Sequence, residues 1–188
     1  MSGGSMNAGQ GKGSRSLKNV AGMLQRGLSF VEVVQDSSHI VELKKRVEVA
    51  RKGGRLDLAG LALDHVPALA LELGNMARVV WLQENLLKEF DPSVIAIWRS
   101  LAQLRLSSNL LTVLPPEIGR CRNLSMLFVD SNRLTALPST ISQCKVLTYL
   151  NVSNNRIKRL PVSIADIPQL HEFEYDNNPF EFPHKKVF

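Results

Sequence analysis

The chain has 188 residues, 28 of them leucine, and a formal charge of +6. The length suits one domain with a sizeable core. No apolar run approaches the roughly 18 residues of a membrane-spanning helix, and two cysteines exclude a disulfide-stapled secreted scaffold. The basic balance invites a nucleic-acid reading, but its placement argues against one. Residues 1–52 carry nine basic and four acidic residues, whereas residues 53–188 carry fourteen and thirteen. The bulk of the chain is close to neutral.

In chain order, residues 1–16 are Gly/Ser-rich and are expected to form a disordered tail. The run Gly9 to Ser14 lacks the spacing of a phosphate-binding loop. Residues 17–36 are expected to be an amphipathic leader, basic up to Glu32 through Lys18 and Arg26, with Leu17, Val20, Ala21, Leu24, Leu28 and Val31 at helical spacing and Gly22 and Gly27 weakening it. Three readings of the leader stand side by side. It packs under the following cap, it docks on a partner or an anionic membrane surface, or it is a mitochondrial transit peptide, being free of acids up to Glu32. Residues 37–52 are expected to form an N-terminal capping helix, opened by Ser37-Ser38 and stopped by Gly53-Gly54. Ile40, Leu43, Val47 and Ala50 lie at helical spacing along it.

Residues 53–183 repeat. The stretches 101–115, 124–138, 147–161 and 170–183 share L-x-x-L-x-L-x-x-N-x-L-x-x-L-P, with Asn109, Asn132, Asn155 and Asn178 each 23 residues apart. Residues 77–90 are a degenerate copy anchored at Asn85, and residues 53–67 a first copy with Leu61 at the Asn position. Leu104 and Leu106 alternate with Gln103, Arg105 and Ser107, which is the period of a strand with one buried face. The anchor Asn side chains suit hydrogen bonds to backbone groups of the turn after each strand. Stacked, Asn85, Asn109, Asn132, Asn155 and Asn178 form a structural ladder. Pro115, Pro138 and Pro161 end the strand pairing. Ile118, Ile141 and Ile164, then Cys121, Cys144 and Ile167, fill the core from the return path. Phe180, Phe182 and Phe188 are placed to cover the last core edge, ahead of a short C-terminal end at 184–188.

These motifs resemble the leucine-rich-repeat family, and the plain L-P-x-x-I repeats are similar to its intracellular Ras-suppressor, Scribble and plant Ras-group-related types. The resemblance implies an α/β solenoid, a horseshoe arc of about six repeats of 23–24 residues with a parallel concave sheet. It also implies a partner on the concave face, scaffold or signalling-adaptor work in the cytoplasm, and small GTPase signalling proteins as one partner class.

The repeat assigns that face residue by residue. Its first outward column reads Arg55, Val79, Gln103, Met126, Tyr149, Glu172; the second, Asp57, Trp81, Arg105, Phe128, Asn151, Glu174; the third, Ala59, Gln83, Ser107, Asp130, Ser153, Asp176. Val79, Trp81, Met126, Phe128 and Tyr149 are large apolar residues on a face expected to meet water, with Arg105 between Trp81 and Phe128. Asp130, Asp176, Glu172 and Glu174 make the far end acidic and favour a partner with a basic portion. A one-residue register slip in the degenerate second repeat would bury Trp81 instead.

Other chemistry is not supported. His39, His65, His171 and His184 are scattered without metal-ligand spacing, and no nucleophile–base constellation recurs on one surface. Asn123 and Asn151 head formal glycosylation sequons that matter only in a secreted protein. The sequence therefore reads as a non-catalytic protein-binding module without metal or cofactor. The rival is a structural subunit of a large organellar or ciliary assembly. With only Arg55 and Arg105 basic among the three columns, nucleic acid is not expected as a partner.

Overall fold

A computed structural model describes the backbone of residues 30–181, and side chains from His39 onward. The tail 1–16, most of the leader 17–36, Phe182, Phe188 and the end 184–188 lie outside the described residues. The chain divides into two compact units, residues 1–42 and residues 43–188. The described part of the first is the opening of helix α1, Phe30–Gly53. The second unit contains the remainder of α1 and all the repeats.

The helix begins well before the Ser37 cap that the sequence suggests. No Gly or Pro interrupts residues 30–52, and a serine inside a helix costs only a few tenths of a kcal/mol, about 0.5 at most. Ser37 and Ser38 are therefore carried as interior residues. The far end stops where expected: Gly54 takes φ +69°, which a side chain rarely adopts, and its N–H reaches back to the Ala50 carbonyl at 2.7 Å. Val47 and Ala50 are buried and Leu43 packs against the same core. This part of α1 closes the apolar column at its N-terminal end.

Six strands follow: β1 Arg55–Asp57, β2 Val79–Trp81, β3 Gln103–Arg105, β4 Met126–Phe128, β5 Tyr149–Asn151 and β6 Glu172–Glu174. They form one parallel sheet in sequence order. The register pairs like with like, so Leu56, Val80, Leu104, Leu127, Leu150 and Phe173 align as the central residue of each strand. All of these except half-buried Phe173 are fully buried. Leu58, Leu82, Leu106, Val129 and Val152 form the next buried column. One repeat has too little apolar surface to close a core, so each depends on the repeats stacked beside it.

The return path carries short helices: α2 Ala68–Leu71, α3 Pro92–Ile97, and 3-10 turns at Gly74–Met76, Pro116–Arg120, Ser139–Gln143 and Val162–Asp166. Pro115, Pro138 and Pro161 precede the last three turns with φ of −65°, −68° and −65°. In α3 Asp91 caps the helix instead, accepting from the Ser93 N–H at 2.8 Å. Trp98, Cys121, Cys144 and Ile167 occupy the same place after each of these elements and are all buried.

Each anchor Asn binds two repeats together. The Asn132 amide donates to the Leu106 carbonyl of the preceding repeat at 2.9 Å and to Val129 of its own at 3.1 Å. Its carbonyl accepts from the Leu111 N–H at 3.0 Å. Asn85, Asn109, Asn155 and Asn178 repeat the pattern. Leu61, standing at the Asn position of the first repeat, donates its N–H to Asn85 at 3.1 Å, so this repeat receives the ladder without extending it.

Candidate functional site

Residues at the two ends of each three-residue strand project from the sheet face turned away from the core. Their registers place Arg55, Val79, Gln103, Met126, Tyr149 and Glu172 in one row, and Asp57, Trp81, Arg105, Phe128, Asn151 and Glu174 in the other. Val80 is fully buried while Trp81 is half-buried beside Asp57 and Arg105. The register has not slipped, and Trp81 lies on the open face.

The side chains of these two rows form a continuous ladder across the strands. The Arg55 guanidinium stacks on the Trp81 ring at 3.6 Å from its centroid, and Arg105 stands at 5.2 Å on the same ring. Arg105 also lies 4.5 Å from the Phe128 centroid. Phe128 and Tyr149 contact each other at 4.6 Å, tilted by 34°. The Tyr149 hydroxyl then donates to the Glu174 carboxylate at 2.6 Å, and the Asn151 amide donates to the same carboxylate at 2.7 Å. Burial and this bond to Glu174 together push the Tyr149 hydroxyl above its ordinary pKa. Met126, in register with Tyr149, is exposed at 36% and widens the apolar centre. Val79 is half-buried between Arg55 and Gln103.

Apart from Asp57, the charges on this face are segregated. On β1, Asp57 is occupied by Arg46, whose guanidinium lies 3.7 Å from its carboxylate and bonds its carbonyl at 3.1 Å. Arg55 and Arg105 make no ion pair among the described residues and stand as the cations of the β1–β3 end. At the other end Glu172, Glu174 and Asp176 are exposed, and none of the three is ion-paired among the described residues. Asp130, half-buried after β4, accepts from the Ser107 hydroxyl at 2.6 Å.

Four buried polar atoms, Trp81 Nε1, Gln83 Oε1, Arg105 Nε and, in the core, Trp98 Nε1, have no hydrogen-bond partner among the described residues. Unpaired buried groups cost about 1–3 kcal/mol each, and three of the four belong to Trp81, Gln83 and Arg105, on or just after β2 and β3. Arg55, Gln83 and Asn151 take part in this arrangement although the sequence singled out only their neighbours. The signal was present, since all three fall in the same columns. Polar residues on a half-exposed strand face, however, read as ordinary solvated positions.

Among the described residues no group of three or more His, Cys, Asp or Glu side chains converges as a metal site, and no helix is long and apolar enough to cross a membrane. Cys121 and Cys144 are free and buried, with burial raising their thiols to about 11 and about 12. Buried, protonated thiols make poor nucleophiles.

Residues 122–180 match the family model described as leucine rich repeat. No curated protein matches the sequence. Among solved structures, a leucine-rich-repeat protein of Leptospira interrogans is similar at 28% identity and a TM-score of 0.62, over 73% of this chain and 41% of that one. The BIR2 ectodomain of Arabidopsis thaliana is similar at 21% identity and a TM-score of 0.56, over 69% of each chain. A plant peptide hormone receptor, RGFR1, solved in complex with RGF2, is similar at 25% identity and a TM-score of 0.55, over 66% of this chain and 20% of that one. The chain thus spans less than half of the Leptospira protein. Six parallel strands joined by an Asn ladder, a repeat-model match and these neighbours together give the chain the fold of a leucine-rich-repeat solenoid.

Proposed function

We propose that this chain is a non-catalytic protein-binding module whose partner lies on the open face of the sheet, across β1 to β6. The observation that carries the reading is the ladder from Arg55 to Glu174. Trp, Tyr and Arg are the side chains that most often dominate binding energy, and here they are already stacked in place. A pre-ordered ladder loses little side-chain freedom on binding. The similar plant receptor is a peptide hormone receptor in complex with RGF2, which supports a polypeptide ligand for this fold. Scaffold or adaptor work in the cytoplasm, and small GTPases as partners, rest on the resemblance of the repeats.

The test is affinity capture from extract with three baits: wild type, a Trp81→Ala/Phe128→Ala variant, and a variant at Val162, exposed at 92% on the return path. Proteins retained by the wild type and the Val162 variant but depleted at least about tenfold by the double variant are expected. Equal retention by all three folded baits rejects the reading.

A further inference from the structure

The open face is polar in one direction, and this restricts what it can hold. We infer that it takes an extended polypeptide lying across the strands, with an acidic side chain over Arg105, an apolar one on Met126, Phe128 and Tyr149, and a basic one on Glu172, Glu174 and Asp176. The inference rests on the binding face proposed above and specifies its ligand.

The direction follows from the dimensions of the sheet. Each strand has three residues, so the face is short along the strands and long across all six. Neighbouring strands stand about 4.8 Å apart. From Arg105 on β3 to Glu174 on β6 the separation is three steps, about 14 Å. An extended chain rises about 3.3 Å per residue, so about four residues cover it. Residues i, i+2 and i+4 of an extended chain point to one side. The complementary motif is therefore acid-x-apolar-x-base, in either chain direction.

The charges support that reading. The competing anion at the β1 end, Asp57, is held by Arg46, which leaves Arg55 and Arg105 to face a ligand. Both guanidiniums lie against ring faces, and a guanidinium can donate to both oxygens of a carboxylate. At the β6 end Glu172 and Glu174 share one side of the strand and exposed Asp176 follows it, so like charges are gathered there and repel. A ligand cation relieves that repulsion, and the Glu174 carboxylate is fixed for it by Tyr149 and Asn151. Between the two ends the Phe128–Tyr149 pair and exposed Met126 offer the apolar contact.

The experiment is selection of a displayed library of random dodecapeptides on three forms of the full chain: wild type, Trp81→Ala/Phe128→Ala, and Glu172→Lys/Asp176→Lys. Thermal unfolding confirms that each form is folded, and Met126→Glu, at an exposed position, replaces the alanine pair if that pair fails to fold. Wild type is expected to enrich peptides with an acid and a base four residues apart and an apolar residue midway. Enrichment should fall at least about tenfold on the alanine form, and the lysine form should replace the base by a second acid. Enriched peptides that lack the acid–base pair, or carry it at another spacing, or an unchanged motif on the lysine form, overturn the inference and leave the binding face standing. No enrichment that depends on Trp81 and Phe128 overturns both.

Discussion

Asn132 makes three kinds of buried hydrogen bond at once, two from its amide and one to its carbonyl. Replaced by alanine, it leaves the Leu111 N–H without its acceptor in the core. We predict that Asn132→Ala lowers unfolding free energy by about 2–4 kcal/mol, read as a shift in denaturant midpoint. Asn178→Ala should cost less, because Asn178 is only half-buried in the last repeat. Equal losses at both positions would show that burial does not set the value of a ladder residue. The cysteines give a second prediction. Burial raises Cys121 from 9.0 to about 11 and Cys144 to about 12. Folding therefore favours the protonated thiols, and their contribution is complete below pH 9. As pH climbs past 9, the unfolded chain loses these protons first and gains stability relative to the fold, until the folded thiols ionise near 11 and 12. Between about pH 8 and about pH 10.5, wild type should lose more stability than Cys121→Ala/Cys144→Ala. Equal losses in urea titrations would contradict this. At this scale the sequence was informative wherever a residue type recurred at a fixed spacing, as the anchor Asn does. It was silent on the residue before each anchor. Glu84, Ser108, Ser131, Asn154 and Asn177 all take φ between 54° and 60°, and of these only Asn is a usual left-handed residue.

The elements are short, and packing rather than propensity holds them. Three-residue strands and five-residue 3-10 turns have no stability alone; they persist because each lies against its copies. Gly119 shows how close the copies come. A Cβ built there would stand 2.5 Å from the Thr140 carbonyl oxygen in the next 3-10 turn. We predict that Gly119→Ala costs about 1–3 kcal/mol by forcing the turns Pro116–Arg120 and Ser139–Gln143 apart. Gly53→Ala, which meets nothing within 4 Å, should be tolerated. Thermal unfolding of the two variants decides, and equal midpoints would contradict the close-packing account. The six strands were legible at this scale, because alternation of buried and outward residues recurred in six registers. The helices of the return path were not: four to six residues are too few to display a helical period. The start of α1 differs from the Ser37 cap that the sequence suggests, because an uninterrupted helix-compatible run carries both serines as interior residues.

For the repeat unit as a whole, one face is dry and uniform while the other is graded. The core columns contain leucine, isoleucine and valine at equivalent positions, and this side of the structure could be written down from the period alone. The graded face could be assigned its residues but not their contacts. That Arg55 rests on Trp81, that Asp57 is held by Arg46, and that Glu174 is tied to Tyr149 depend on side-chain conformations the repeat does not encode. The ladder divides binding energy from stability. Alanine at Trp81, Phe128 or Tyr149 removes side chains that are only half-buried, so each should weaken partner capture at least about tenfold. The cost in folding should be much smaller than that of a core deletion such as Leu127→Ala, about 2–5 kcal/mol. Tyr149→Phe separates the ring from the hydroxyl. It keeps the contact with Phe128, loses the bond to Glu174, and should retain most of the affinity for an apolar ligand group.

The most direct test of a binding face across β1 to β6 is an oxidative footprint of the chain, free and with its captured partner. The account predicts that Trp81, Met126, Phe128 and Tyr149 become protected together while Val113 and Val162 keep their reactivity. Protection of Val113 and Val162 with Trp81, Met126, Phe128 and Tyr149 unchanged would contradict it.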